Sequence, residues 1–174
     1  MISKSMEAAL NKQIELEGYA SFIYLSMASW CDNKGLAGCA EFMHRQSEEE
    51  HMHMMKIFHY ISEVDGRAIS PGIPQPPTEW NSVSEMFEDV FKHEQKVTAS
   101  IYELLNQSIA ENDYATQNFL QWYVAEQREE EALMRGILDK INIIGGGPQS
   151  LYFIDKEIAE INAAAVKAEG QAAK

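Results

Sequence analysis

Apolar residues recur at spacings of three and four along four long blocks of the chain, roughly 5–33, 36–65, 82–112 and 114–144. None of these blocks contains proline, and none alternates with the period of two that a strand needs, so each is predicted to be an α-helix. The breaks between them are chemically distinct. Gly35 and Gly38 punctuate the first link, and the run Gly145-Gly146-Gly147-Pro148 closes the fourth block. Four of the five prolines lie in 66–81, which cannot be helical and favours an extended path. A shorter fifth helix is expected over 150–163, followed by an Ala-rich frayed tail over 164–174.

The links constrain the topology. Short connections join blocks one and two, and three and four, so each pair should form an antiparallel hairpin. A helix of some thirty residues spans roughly 45 Å, and the 66–81 link reaches roughly 50 Å when extended. It can therefore carry the chain back along the whole bundle. The expected architecture is all-α, a four-helix bundle with one long crossover, with 1–174 forming a single domain.

Tracing the core-facing positions exposes an anomaly. The first helix reads Met6, Leu10, Gln13, Glu17, Ala20, Tyr24, Met27, Cys31, and the third reads Val83, Phe87, Val90, Glu94, Val97, Ile101, Leu104. The second places Glu50 between Met43 and Ile57. The fourth runs from Phe119 through Tyr123, Glu126 or Gln127, Glu130 and Leu133 to Ile144. Every helix thus puts a Glu near its middle, where periodicity assigns the core. Burying one uncompensated carboxylate costs several kcal/mol, and a cluster adds mutual repulsion. No Lys or Arg lies on a seam at this level, so a pair of divalent cations is the expected compensation. His53, one turn from Glu50, adds an imidazole. Oxygen-rich ligation with little nitrogen suits iron or manganese better than structural zinc.

A bland reading stands beside this one: the runs Glu48-Glu49-Glu50 and Glu129-Glu130-Glu131 would ordinarily be solvated charge. Three successive helical residues nevertheless sweep roughly 200°, so part of each run faces inward. His44, His51, His59 and His93 read as surface or interface histidines. Leu16, Ile23 and Trp30 form a second apolar stripe on the first helix, covered either by the crossover or by another subunit.

Charge narrows the function. Fourteen Lys and Arg against 27 Asp and Glu give a net charge of −13. That balance disfavours nucleic acid or an anionic membrane as partner and favours cations. No stretch reaches the roughly 18 apolar residues of a membrane span, and the start lacks a signal-peptide core. The two cysteines, Cys31 and Cys39, are too few for a disulfide scaffold, so a reducing cytoplasm is the expected location.

At Glu17, Tyr24, Glu50-x-x-His53, Glu94 and Gln127-x-x-Glu130 the sequence resembles the bacterial non-haem ferritins, from Met1 to about Asn162. The resemblance implies a ferritin-like bundle and a ferroxidase that oxidises Fe(II) with dioxygen or hydrogen peroxide. The ferric product would be stored as mineral inside a shell of twenty-four subunits. It implies a first iron site from Glu17, Glu50 and His53. A second would use Glu50 as a bridge, with Glu94, Glu130 and the neutral Gln127. A third would use Glu49, Glu126, Glu129 and Glu130, and Tyr24 could supply an extra electron. Trp122 could share that role or simply pack. Bacterioferritins repeat Glu-x-x-His on the fourth helix, where this chain has Gln127-x-x-Glu130. That change weakens the second site and suits iron that passes onward. They also carry a haem-ligating Met where this chain has His51, so no haem is expected. Gln117 and Leu120, at the positions aligned with the acidic three-fold channel of animal ferritins, are not acidic. Two other classes remain open at this stage. A di-iron oxidase acting on an organic substrate predicts a retained cluster in a small oligomer. A purely structural bundle predicts no saturable metal binding.

Overall fold

The computed structural model describes residues 2–172, which form five helices and no strand. They are α1 Lys4–Asn33, α2 Ala37–Glu63, α3 Val83–Ala110, α4 Tyr114–Ile144 and α5 Ser150–Ala172. Side-chain oxygens cap three of the starts. Ser3 Oγ accepts from the Met6 N–H (2.9 Å), Ser82 Oγ from Glu85 (3.1 Å) and Asp113 from Thr116 (3.0 Å). The ends of α1, α2 and α3 share one closure. Gly35, Asp65 and Asn112 take φ of 75°, 62° and 55°, and the residue after each donates its N–H to the carbonyl of Cys31, Ile61 or Ser108.

α1 pairs with α2 and α3 with α4, and α1 also packs on α3, while α5 lies on α2 and α4. The fifth helix is longer than the sequence pattern suggested. It continues to Ala172, because Ala163 to Ala165 and the residues beyond contain strong helix formers and no proline. Residues 173–174 of the expected frayed tail lie outside the described residues. At Gly38 the α5 backbone rests directly on α2: an added Cβ would stand 2.3 Å from the Asp155 carbonyl oxygen. Asp155 Oδ1 also accepts from the Cys39 N–H (2.8 Å).

The crossover is stitched to α1. Asn11 accepts from the Ile69 N–H (2.7 Å) and donates to the Arg67 carbonyl (3.0 Å), and Ser26 donates to the Pro77 carbonyl (2.5 Å). Trp80 meets Trp30 edge to face at 5.9 Å. Ile23 and Trp30 are therefore buried within the chain, Trp30 against the crossover, while Leu16 of the same stripe stays half-buried.

Every residue assigned to the seams of α1 and α3 is buried. In α4 Tyr123, Gln127, Glu130, Ile137 and Ile141 of the expected seam are buried, but elsewhere a neighbour takes the core position. Leu120 and Met134 are fully buried, whereas Phe119, Leu133 and Ile144 are only half-buried. Adjacent apolar residues there leave the periodicity degenerate, and Phe119 finds its place by stacking on Tyr60 at 3.8 Å. Leu120, being buried, lines no channel. The core falls into two apolar clusters, one around Tyr24, Phe42, Phe87 and Ile137, the other around Leu10, Ile57, Ile101 and Leu120. Between them lies a buried polar layer with Gln13, Glu17, Gln46, Ser47, Glu50, His53, Glu94, Gln127 and Glu130. Ser21 and Ser47 donate to each other's backbone carbonyls (2.8 and 2.7 Å), fixing the height of α1 against α2 within this layer. No helix among the described residues is long and apolar enough to cross a membrane.

Candidate metal centre

Glu17 of α1 and Glu50 and His53 of α2 make the inner part of the centre. Residues three apart share a helix face, so His53 stands over Glu50 and both look toward Glu17. One ligand atom from each of the three lies within 4.8 Å of the others. All three side chains are buried. Among the described residues, Glu17 Oε2, both Glu50 oxygens and both His53 nitrogens have no hydrogen-bond partner outside the triad. The remaining oxygen, Glu17 Oε1, accepts from Gln13 Nε2 (2.8 Å), and Gln13 is held in turn by Ser100 (2.5 Å). His53 Nδ1 stands 3.5 Å from Glu50 Oε2, too far for a sound hydrogen bond.

The electrostatics follow from burial. Desolvation raises the Glu17 pKa and raises Glu50 well above the carboxylate range, and the charges of Glu94 and Glu17 add to the Glu50 shift. The same burial lowers His53 to about 4. At neutral pH the imidazole is therefore neutral, with a lone pair to offer. The two carboxyls cannot both ionise unless positive charge arrives.

Glu94 of α3 and Gln127 and Glu130 of α4 complete the buried layer, but both Glu94 oxygens and one of Glu130 already accept hydrogen bonds. The Tyr24 hydroxyl donates to Glu94 Oε1, and Gln127 Nε2 donates to Glu94 Oε2 (3.1 Å). Gln46 Nε2 donates to Glu130 Oε2 (3.1 Å). Burial holds Glu94 at about 7 and lifts Glu130 well above its ordinary value, with the Glu94 charge contributing. The buried Tyr24 hydroxyl, beside Glu94, is raised well above 10. Among the described residues two triads converge to 4.8 Å, and Glu50 with Glu94 and Glu130 is not one of them.

The second converging triad is Glu49, His53 and Glu126, an outer group sharing the imidazole with the inner one. Glu49 and Glu126 are half-buried, and burial together with the Glu49 and Glu129 charges raises Glu126. Glu129 itself does not join. It is exposed, with Arg128 at 3.4 Å, and acts on Glu126 only through its charge. Glu130 sits inward, held by Gln46.

Sequence reasoning missed several participants. Arg45 is half-buried and reaches this level from the rim of α2, donating to Glu49 Oε2 at 2.9 Å. A long side chain brings charge where periodicity of Cα positions shows none. His93 is buried, not at the surface. It lies edge-on to Tyr24 and tilted on Tyr19, both at 6.0 Å, and desolvation lowers it to about 4. Gln13 precedes Glu17 by four, a spacing that could have marked it as a carboxylate donor, whereas Gln46 reaches across to Glu130 on another helix. Trp122 packs edge-on to His53 at 5.3 Å with Lys56 over its ring, and Tyr123 donates to the His53 carbonyl (2.7 Å).

Residues 7–144 match the family model of the ferritin-like domain. The bacterial non-haem ferritin of Campylobacter jejuni is 43% identical over 161 residues, covering 92% of this chain and 96% of that protein. That of Escherichia coli O6:H1 is 39% identical over 162 residues, covering 93% and 98%. The crystal structure of an open pore ferritin from the archaeon Archaeoglobus fulgidus superposes with a TM-score of 0.88 at 47% identity, over 91% of this chain and 98% of that one.

Proposed function

The chain belongs to the ferritin family, and on that premise we propose that it is an iron-storage ferroxidase. It oxidises Fe(II) to Fe(III) at the buried centre and keeps the product as ferric mineral inside a hollow shell of twenty-four copies in the cytoplasm. One observation carries this reading: Glu17, Glu50 and His53 present five buried ligand atoms with no hydrogen-bond partner outside the triad among the described residues. Such an arrangement is costly until a cation enters it.

The first ferrous ion is taken by Glu17, Glu50 and His53. Glu50 bridges to the second, which Glu94 and Glu130 hold with help from the neutral Gln127. Binding displaces the protons that burial keeps on these carboxyls, so uptake releases acid. Dioxygen or peroxide accepts the electrons, and the anionic oxygens favour the harder ferric product. Tyr24, bonded to Glu94, is placed to give a further electron. Glu94 and Glu130 have neutral donors to return to, whereas in the inner triad only one Glu17 oxygen has one, from Gln13, and Glu50 and His53 have none. The second ion is therefore released first, as storage requires and a retained oxidase cluster does not. Glu49 and Glu126, with Glu129 at the surface end, take additional iron and carry it outward. Assembly is supported by large apolar side chains left exposed on the single chain, among them Phe22, Leu25, Ile143, Tyr152 and Phe153.

Anaerobic ferrous titration of a sized particle, followed by oxygen, tests the reading. The expected result is saturable ferrous binding, rapid oxidation, and accumulation of far more iron than the centres alone can hold. A stable monomer or dimer holding only two irons per chain would remove storage and favour an oxidase.

A further inference from the structure

The outer triad, Glu49, His53 and Glu126, differs from the inner one in having a resident cation. The Arg45 guanidinium holds three described partners, among others. Nη1 donates to Glu49 Oε2 (2.9 Å), Nη2 to Gln46 Oε1 (3.0 Å) and Nε to Asn162 Oδ1 of α5 (2.8 Å). Gln46 then passes the contact inward, donating to Glu130 (3.1 Å). The side chains of Arg45 and Glu49 are 15% and 19% exposed, so the pair is poorly screened by solvent. The face of the guanidinium lies 5.6 Å from the Phe42 ring, which limits its freedom to swing away. Asn162 is itself buried at the α2–α5 contact that Gly38 and Asp155 define.

We infer that Arg45 is a built-in competitor for the outer cation site. It neutralises Glu49 between visits of a metal ion and keeps the residence of that ion short, and the docking of α5 through Asn162 sets how firmly it does so. The physical basis is direct. An incoming divalent ion must share Glu49 with a fixed positive charge and is repelled by it at a distance of a few ångströms. Among the described residues no such cation pairs with a carboxylate of the inner triad, where Lys56 acts only on the shared His53. The consequence is a graded path in which iron is held at Glu17, Glu50 and His53 but only passes Glu49 and Glu126. This rests on the reading of the outer triad as a cation site, and the experiment separates the two.

The test uses divalent cobalt, matched to ferrous iron in charge and not oxidised on binding, titrated anaerobically into the assembled protein by calorimetry and visible absorption. In the unaltered protein two tighter steps and one weaker step are expected per chain. In Arg45→Gln the weaker step should tighten about tenfold, the size expected from removing one nearby charge, with the step at Glu17, Glu50 and His53 unchanged. Arg45→Lys keeps the charge, serves as the control should the Gln variant fold poorly, and should hold the weak step within about threefold of its original value. Asn162→Ala should tighten that step by a few-fold, and adding it to Arg45→Gln should bring nothing more, since both act through one guanidinium. An outer step that is unchanged or weaker in Arg45→Gln overturns the competitor role while leaving the ferroxidase reading intact. Two cobalt steps with no third in any variant overturns the outer site itself, and the inner assignment still stands.

Discussion

Glu49 and Glu50 are neighbours in sequence, yet they lead opposite electrostatic lives. Glu50 is fully buried against Glu17 with neither oxygen bonded outside the triad, and its proton affinity is raised well above the carboxylate range. Glu49 is half-buried at the rim, charge-paired with Arg45, in a group whose Glu126 also feels Lys56. A rotation of about 100° along one helix separates them. The inner group is incomplete without a metal ion, whereas the outer one is already partly neutral. Burial alone does not set what a carboxylate does here; the difference lies in whether the chain supplies its own counter-charge.

The comparison breaks most sharply at Glu50. Glu50→Gln should slow the fast phase of ferrous oxidation by about a hundredfold or more, because the shared ligand is lost. The apo protein should melt no lower than the parent, since a buried repulsion goes with it. Stopped-flow absorbance and calorimetry check the two halves; unchanged oxidation would mean that the centre is misplaced. Gly38→Ala is expected to cost about 1–3 kcal/mol by forcing a methyl into the Asp155 backbone. As α5 lifts, the outer cation step should strengthen while the step at Glu17, Glu50 and His53 stays put, which thermal unfolding and metal titration would show.

Glu49→Ala combined with Glu126→Ala should leave two ions binding but alter the number of ferrous ions oxidised per dioxygen. Oxygen-electrode measurements at rising iron ratios read this, and an unchanged ratio removes any role for the outer group.

The smallest effect is on stability against pH. Glu94, raised to about 7, and the other elevated carboxyls bind protons more tightly folded than unfolded. Apo stability should therefore fall as pH rises through 7, by up to about 1.4 kcal/mol per pH unit for each such proton. His53 and His93, lowered to about 4, work the other way and weaken the fold as pH drops from about 6.5. Saturating divalent cation should flatten the alkaline limb, and a slope unaffected by metal would show that these carboxyls are not the ligands.

Much of this was legible in the sequence because helical periodicity reports on Cα positions. The seams of α1 and α3 and the four mid-helix acids all follow from spacing alone. What escaped it depended on reach and on backbone contact. Arg45 enters by the length of its side chain, and α5 docks through a glycine that has no side chain to show. His93 is kept inside by tyrosines from another helix. Leu120 and Met134 lost to Phe119 and Leu133 because neighbouring apolar residues carry no phase information. Glu129 lies one turn from Glu126, and only the packing of the folded bundle, which leaves one exposed and the other half-buried, tells them apart.

The polar layer between the two apolar clusters has a consequence for how the chain finds its fold. Repeating seams of Met, Leu, Ile and Val tolerate sliding: one helix displaced along another by a turn, about 5.4 Å, still meets apolar partners. Displacement of α3 by that amount would carry Glu94 away from Tyr24 and Gln127 and into the surroundings of Val90 or Val97. Between α1 and α2 it would also break both Ser21–Ser47 bonds. Acids that lower the stability of the native packing thus lower that of every misaligned packing further, and they act as an alignment mark for helix register.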